Sequence, residues 1–310
     1  MQAEFKFNEF KEQIMEDLKA YLPGKVGEEV TIFENRVEKL QSESYEGLVI
    51  KKDSANIGIN LNIESLYSAL NAGKSYEDVF GFAIDITLNG LEGAPAVDIN
   101  RLMDYEAMKQ TLMLQLIPVK GNEEMLKDMP YQQIEDLAVV YRFSVGRNEC
   151  GIASMLVKNE HLDRYGIPKE QLFADAELSA PKLDPATIRP INEVIAEMMG
   201  EDFDDFPPYG PMLYVASNVS KIHGAAVLVY PGFLDYAAEV IGGSFYVLPS
   251  SVHELLLMVD DGDVDVNVLE SMIQEVNESS VAPNEQLSCH PYHYDVESKV
   301  FELAEKFANR

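Results

Sequence analysis

Phe7, Phe10, Ile14, Leu18 and Leu22 recur at three- and four-residue spacing, which lines them up on one face of a helix, and Pro23-Gly24 supplies a stop. Val30 to Val37, Gly47 to Lys51 and Asn56 to Leu61 then read as short strands separated by turn residues. Ile63, Leu66, Tyr67 and Leu70 mark a second helix that stops at Asn71-Ala72-Gly73. Ser75 is placed to cap a third, with Glu77 and Asp78 suited to its positive first turn. This unit closes near Gly90-Leu91-Glu92-Gly93-Ala94-Pro95, so a first domain is expected over 1–95.

Beyond it the pattern is mixed. Asp136 to Phe143 and Gly151 to Val157 are apolar and β-prone around Gly146-Arg147-Asn148, a hairpin signal. Ile167-Pro168 opens a short helix through Leu172, and Ile188, Ile191, Val194, Ile195, Met198 and Met199 form a helical stripe ending at Gly200. Residues Glu201 to Pro208 read as a linker, so the second unit, 96–310, is open to subdivision near 200–210. The run Ala225–Tyr230 predicts a strand meeting Pro231-Gly232, a helix follows to Gly242-Gly243, and Ser244–Leu248 predicts another strand. Strands followed by helices, without strict alternation, predict an α+β fold of two units rather than a doubly wound sheet.

Charge changes this picture. The chain of 310 residues carries a formal net charge of -29, and from Ile222 to Ser298 it holds thirteen Asp and Glu and no Lys or Arg. Apolar runs inside that stretch are long enough to bury a core, so it predicts a folded anionic surface and not a disordered tail. Such a surface repels phosphate backbones and anionic lipid and attracts basic protein surfaces. Direct nucleic-acid binding is therefore not expected. No apolar run approaches the roughly 20 residues that span a bilayer, and Met1 to Lys11 lacks an apolar signal core. Two distant cysteines, Cys150 and Cys289, fit a reducing compartment, and the expected location is the cytoplasm.

Motifs for chemistry are sparse. His253-Glu254-Leu255-Leu256-Leu257 opens like a zinc-protease helix, but Leu257 stands where the second histidine must be. Cys289-His290-Pro291-Tyr292-His293 holds three zinc-type side chains without a fourth, and reads as a polar loop before a strand. Asp260, Asp261, Asp263 and Asp265 are the candidates for Ca²⁺ or Mg²⁺, because alternate residues of an extended chain project oxygens to one side. A solvated acidic turn before a helix over Val266–Val276 is the simpler reading, and no cofactor is expected. Ser250, Ser251, His253 and Glu254 are the candidate catalytic set; on a strand Ser251 and His253 would share a face and Ser250 and Glu254 the other. Neither a nucleophile elbow nor a Gly-rich phosphate loop is present.

Several segments taken together carry a resemblance: Tyr131 to Tyr141, His161 to Ala176, Gly224 to Leu234, Gly243 to Glu254 and Glu275 to Ser288, with Glu46 to Lys51 and the helix at Leu66–Gly73. In these segments and their order the chain resembles the family called domain of unknown function 5688, associated with gut-dwelling Gram-positive anaerobic bacteria. That resemblance implies membership over most of the chain and transfers no catalytic or binding residue. The best functional expectation is a non-enzymatic binding or regulatory module that meets a basic protein surface with its acidic third. The alternative from another class is a hydrolase built on Ser250 to Glu254, or an acidic metal site. A third is an acidic decoy that mimics DNA charge, which would need carboxylates spaced like phosphates.

Overall fold

Helix α1 (Phe7–Val26) buries Phe10, Ile14, Leu18 and Leu22, the face its periodicity predicts. It does not stop at Pro23-Gly24. Pro23 sits inside the last turn, where its missing N–H removes one bond, and the helix ends three residues later because Gly27 adopts φ 81° and donates its N–H to the Pro23 carbonyl at 2.9 Å. The computed structural model describes residues 6–40, 42–93, 98–148, 151–200 and 213–310. The expected domain edge at Ala94-Pro95, Cys150 and the Glu201–Pro208 linker lie outside them.

The chain forms two units, Met1–Met103 with Val145–Ser154, and Asp104–Ser144 with Met155–Arg310. In the first, strands β1 (Val30–Lys39), β2 (Ser42–Lys52) and β3 (Ile59–Asn62) make an antiparallel sheet in the order β1-β2-β3. Helices α2 (Ile63–Asn71) and α3 (Tyr76–Gly93) pack with α1 against it around Leu48, Ile50, Leu61, Ile63 and Ala83. Ser75 caps α3 as its position implies: its Oγ accepts the Asp78 N–H at 3.1 Å and donates to Asp78 Oδ2 at 2.6 Å. A single turn, α4 (Ile99–Leu102), and the later segment Val145–Ser154 complete the unit.

The second unit opens with α5 (Tyr105–Met108) and a 3-10 turn, Lys109–Thr111. Strand β4 (Leu112–Pro118), the short α6 (Glu123–Leu126), β5 (Tyr131–Ile134), β6 (Leu137–Asn148) and β7 (Gly151–Leu156) follow along the chain, the stretch Val145–Ser154 of the last two counting with the first unit; β4, β6 and β5 are neighbours in that order and β7 pairs with β6. Gly146-Arg147-Asn148, the expected hairpin turn, belongs to β6. Helices α7 (Asn159–Tyr165) and α8 (Lys169–Leu183) come next, and α8 runs well past Leu172, the end its first turn suggests.

Strand β8 (Ala186–Pro190) takes Ile188 out of the predicted helical stripe. Helix α9 (Ile191–Met199) starts only after Pro190, which lacks the N–H to continue a ladder but suits a helix start, and it ends at Gly200. Strands β9 (Leu213–Asn218), β10 (Phe245–Ser251), β11 (Glu254–Val259), β12 (Tyr292–Asp295) and β13 (Val300–Leu303) complete a six-stranded antiparallel sheet ordered β13-β12-β10-β11-β9-β8. Strands from both sides of residues 201–212 therefore share one sheet. The fold is α+β.

The run Ala225–Tyr230 is not a strand. Gly224–Val229 forms a buried 3-10 helix, leading into α10 (Phe233–Ile241). Continuous burial on all sides erases the periodicity that separates the two conformations, which is why the apolar run reads as a strand. Helix α11 (Val266–Ser279) packs Leu269 and Ile273 against Tyr246, Leu248 and Met258, together with Ala304 of α12 (Ala304–Ala308). No helix among the described residues is long and apolar enough to cross a membrane.

Candidate functional site

The most constrained polar site lies where β9 turns into the 3-10 helix above the β10–β11 hairpin end. Lys221 and His223 both hold positive φ, 56° and 54°, a region that residues with a Cβ enter only when neighbours enforce it. The enforcing bonds are on hand. The Ser220 N–H donates to Asp184 Oδ1 at 2.9 Å and the Ser220 hydroxyl to Asp184 Oδ2. Asn218 Nδ2 donates to the Ile222 carbonyl at 2.8 Å, and the Val219 N–H to the Pro185 carbonyl at 3.0 Å.

The hairpin end is sewn to this bend. Ser217 Oγ donates to the His253 carbonyl at 2.8 Å, the His223 N–H donates to His253 Nδ1 at 3.2 Å, and the His253 N–H donates to Ser251 Oγ at 3.0 Å. The two imidazoles stack with centroids 5.9 Å apart and planes 16° apart. His223 Nδ1 is buried with no partner among the described residues. Burial first, then the nearby Arg142 and His253, push the His223 pKa down to about 3, so its ring is neutral at physiological pH. Burial also lowers Arg142 to about 10; its Nη1 donates to Gln115 Oε1 at 3.1 Å.

The structure places the candidate catalytic set around the hairpin end. Ser250, Ser251, His253 and Glu254 do not lie along one strand; they flank a turn in which Ser251 pairs with Glu254 across the ladder. The turn does bring Ser250 and Glu254 together, with Oγ donating to Oε1 at 3.4 Å. Ser251 Oγ, however, serves a backbone N–H and not an imidazole, and His253 spends Nδ1 as an acceptor. The other ring nitrogen of His253, Nε2, lies 3.8 Å from Glu285 Oε1. His223 has no motif of its own; a histidine just before Gly224 in a chain bend is the single local hint.

Of the four metal candidates, Asp260, Asp261 and Asp265 spend carboxylate oxygens on local bonds. Asp260 Oδ1 accepts the Gly262 N–H at 3.0 Å, Asp261 Oδ1 the Asp263 N–H at 3.1 Å, and Asp265 Oδ1 the Asn267 N–H at 2.9 Å, the last as the N-cap of α11. Asp260 Oδ2 meets His293 Nε2 at 2.9 Å; His293 is 1% exposed and stacks on Phe307 with centroids 3.6 Å apart. Cys289 is an exposed free thiol, and His290 Nδ1 lies 3.1 Å from Glu270 Oε1, so Cys289, His290 and His293 point to different partners. Among the described residues, no three His, Cys, Asp or Glu side chains are grouped to hold a metal ion. We expect sodium chloride to raise the melting temperature, because screening weakens repulsion within the acidic region. Millimolar calcium at matched ionic strength is expected to add nothing; an extra rise would show that these carboxylates can converge.

Residues 7–296 match the family of unknown function DUF5688. The chain belongs to DUF5688. No curated protein and no solved structure matches it. Membership covers residues 7–296 and names no activity, so any function must be argued from the side chains themselves.

Proposed function

We propose that this DUF5688 chain is a non-enzymatic binding module whose α11 face receives a cationic, amphipathic segment of a protein partner. The observation that carries this reading is a stripe on α11. Val268, Met272 and Val276, spaced four residues apart, are 54%, 52% and 45% exposed, while Leu269 and Ile273 hold the helix to the sheet. An apolar stripe left in water on a helix whose other face is already buried is a surface for another chain.

Charge selects the partner. Glu275 and Glu278 are exposed on the same helix, and Asp261, Asp263 and Asp265 are exposed just ahead of it. No Lys or Arg occurs from residue 222 to 298 to offset them. Apolar contacts supply affinity where a helix docks on such a stripe, and complementary charge supplies association rate and selectivity. The same field repels nucleic acid and anionic membrane. We place the module in the cytoplasm, where the exposed Cys289 thiol stays reduced.

Fluorescence anisotropy with a labelled lysine–leucine peptide of helical periodicity tests this. Binding is expected at low salt, weaker at high salt, and weaker still for a peptide of scrambled order. Met272→Lys with Val276→Lys is expected to cost about tenfold or more in affinity, through lost apolar area and added repulsion. Equal binding of scrambled and ordered peptides, or an unaffected double variant, would overturn the α11 assignment.

A further inference from the structure

A cavity of about 450 Å³ opens in the second unit between the Lys109–Thr111 turn and α8, lined by Lys109, Gln110, Asp175, Leu178, Ser179, Lys182 and Leu183. Its volume lies within the range usual for small-molecule sites. The residues from α8 recur at three- and four-residue spacing, so one helix face supplies a whole wall. None of them belongs to the histidine corner or to α11.

We propose that this cavity binds a small monocarboxylate with an aliphatic tail. Ser179 is the first reason. The residue lines the open cavity yet is only 8% exposed, and its hydroxyl is buried with no hydrogen-bond partner among the described residues. A helical serine normally returns its hydroxyl to a carbonyl of the preceding turn, so an unspent buried donor here awaits an acceptor. The lysines are the second. In a chain of net charge -29, two ammonium groups line one small cavity, and Lys182 has no carboxylate partner among the described residues.

The remaining wall sets the charge and shape of the ligand. Lys109 is already paired with Glu106 at 2.7 Å, and Asp175, which accepts the Tyr105 hydroxyl at 2.8 Å, adds a negative charge. Two ammonium groups against Glu106 and Asp175 leave no surplus positive charge, which disfavours a phosphate dianion and leaves the Lys182 ammonium as the cation for a single carboxylate. Leu178 and Leu183 are both exposed at the rim, and a short alkyl tail laid on them removes apolar surface from water. The carboxylate then accepts from the Lys182 ammonium, a charge-assisted bond, and from Ser179 Oγ once a χ1 rotation turns that hydroxyl into the cavity.

Isothermal titration of the full chain with hexanoate, inorganic phosphate and hexylamine, each at millimolar concentration, tests the proposal. Hexanoate is expected to bind, and phosphate and hexylamine to give no saturable heat. Ser179→Ala and Lys182→Gln are each expected to weaken hexanoate about tenfold, the loss of one charge-assisted hydrogen bond. Lys182 is on the surface, so its variant should fold normally even if the buried Ser179 change does not. Absence of hexanoate binding, equal binding of phosphate or hexylamine, or a Lys182→Gln variant that binds hexanoate as tightly as the wild type would each overturn it.

Discussion

Replacing Gly224 with valine should cost about 3 kcal/mol or more of folding stability. A Cβ at this position would stand 2.1 Å from Ser217 Oγ and 2.3 Å from the His253 carbonyl oxygen. The hydroxyl can swing away, but only by giving up its bond to that same carbonyl, and the carbonyl belongs to a hairpin end fixed by two further hydrogen bonds. Relief therefore requires moving the 3-10 helix, whose residues Ala225 to Leu228 are all buried. Interiors packed to crystal density have little room for such a shift. Alanine at the same position should already destabilise, and valine more. Urea titrations of both variants provide the measurement, with a loss below about 1 kcal/mol for valine showing that the bend is not closely packed.

The site at this bend shows where sequence pattern informs and where it fails. Helix α1 is legible because one face is dry and the other wet, so Phe10, Ile14, Leu18 and Leu22 repeat cleanly. Ala225 to Tyr230 is illegible for the opposite reason: every side is covered, and a run of apolar residues fits a buried strand or a buried helix equally well. Strand β10 shares that environment, with Phe245, Tyr246, Val247 and Leu248 all buried, yet it is a strand. Local composition distinguishes the two runs only weakly, through the small Gly224, Ala225 and Ala226 that permit close approach.

The chemistry divides in the same way. Local devices can be read from the chain: Ser75 and Asp265 cap the helices they precede, and Asp260 and Asp261 fold onto backbone N–H groups two residues on. Non-local pairings leave no trace in spacing. His253 can be singled out from its neighbours, but its partner His223 lies thirty residues earlier and is brought close only by the sheet order β10-β11-β9. Lys109 and Lys182 converge on one cavity from segments that share no motif. A proline within β10 would argue against a strand, yet Pro249 is accommodated because β12 pairs with this strand only at Phe245, Tyr246 and Val247, leaving the Pro249 backbone free on that side.

Acid should destabilise this protein through His223 by roughly 2–3 kcal/mol between pH 7 and pH 4.5. Burial holds the folded His223 near pKa 3, far below the 6.5 of a solvated imidazole, so the unfolded chain takes up the proton first. A depressed histidine pKa means that the stabilising contribution is complete above the unfolded value. It is lost progressively as pH falls from about 6.5 toward 3. The groups facing the ring make relief unavailable: Arg142 from β6 and His253 from the hairpin end both oppose a positive charge, and no carboxylate pairs with His223 among the described residues. Many other groups titrate over the same range, so the informative quantity is a difference. His223→Asn is the suitable variant, because asparagine tolerates the left-handed backbone found there and carries no charge. His253 and the carboxylates are common to both proteins and cancel in the comparison. Denaturant melts of the two proteins at pH 7, 5.5 and 4.5 should show the wild type losing roughly 2–3 kcal/mol more than the variant. Parallel curves would mean that the His223 ring is as well solvated in the folded protein as in the unfolded chain, and that the histidine corner is open to water.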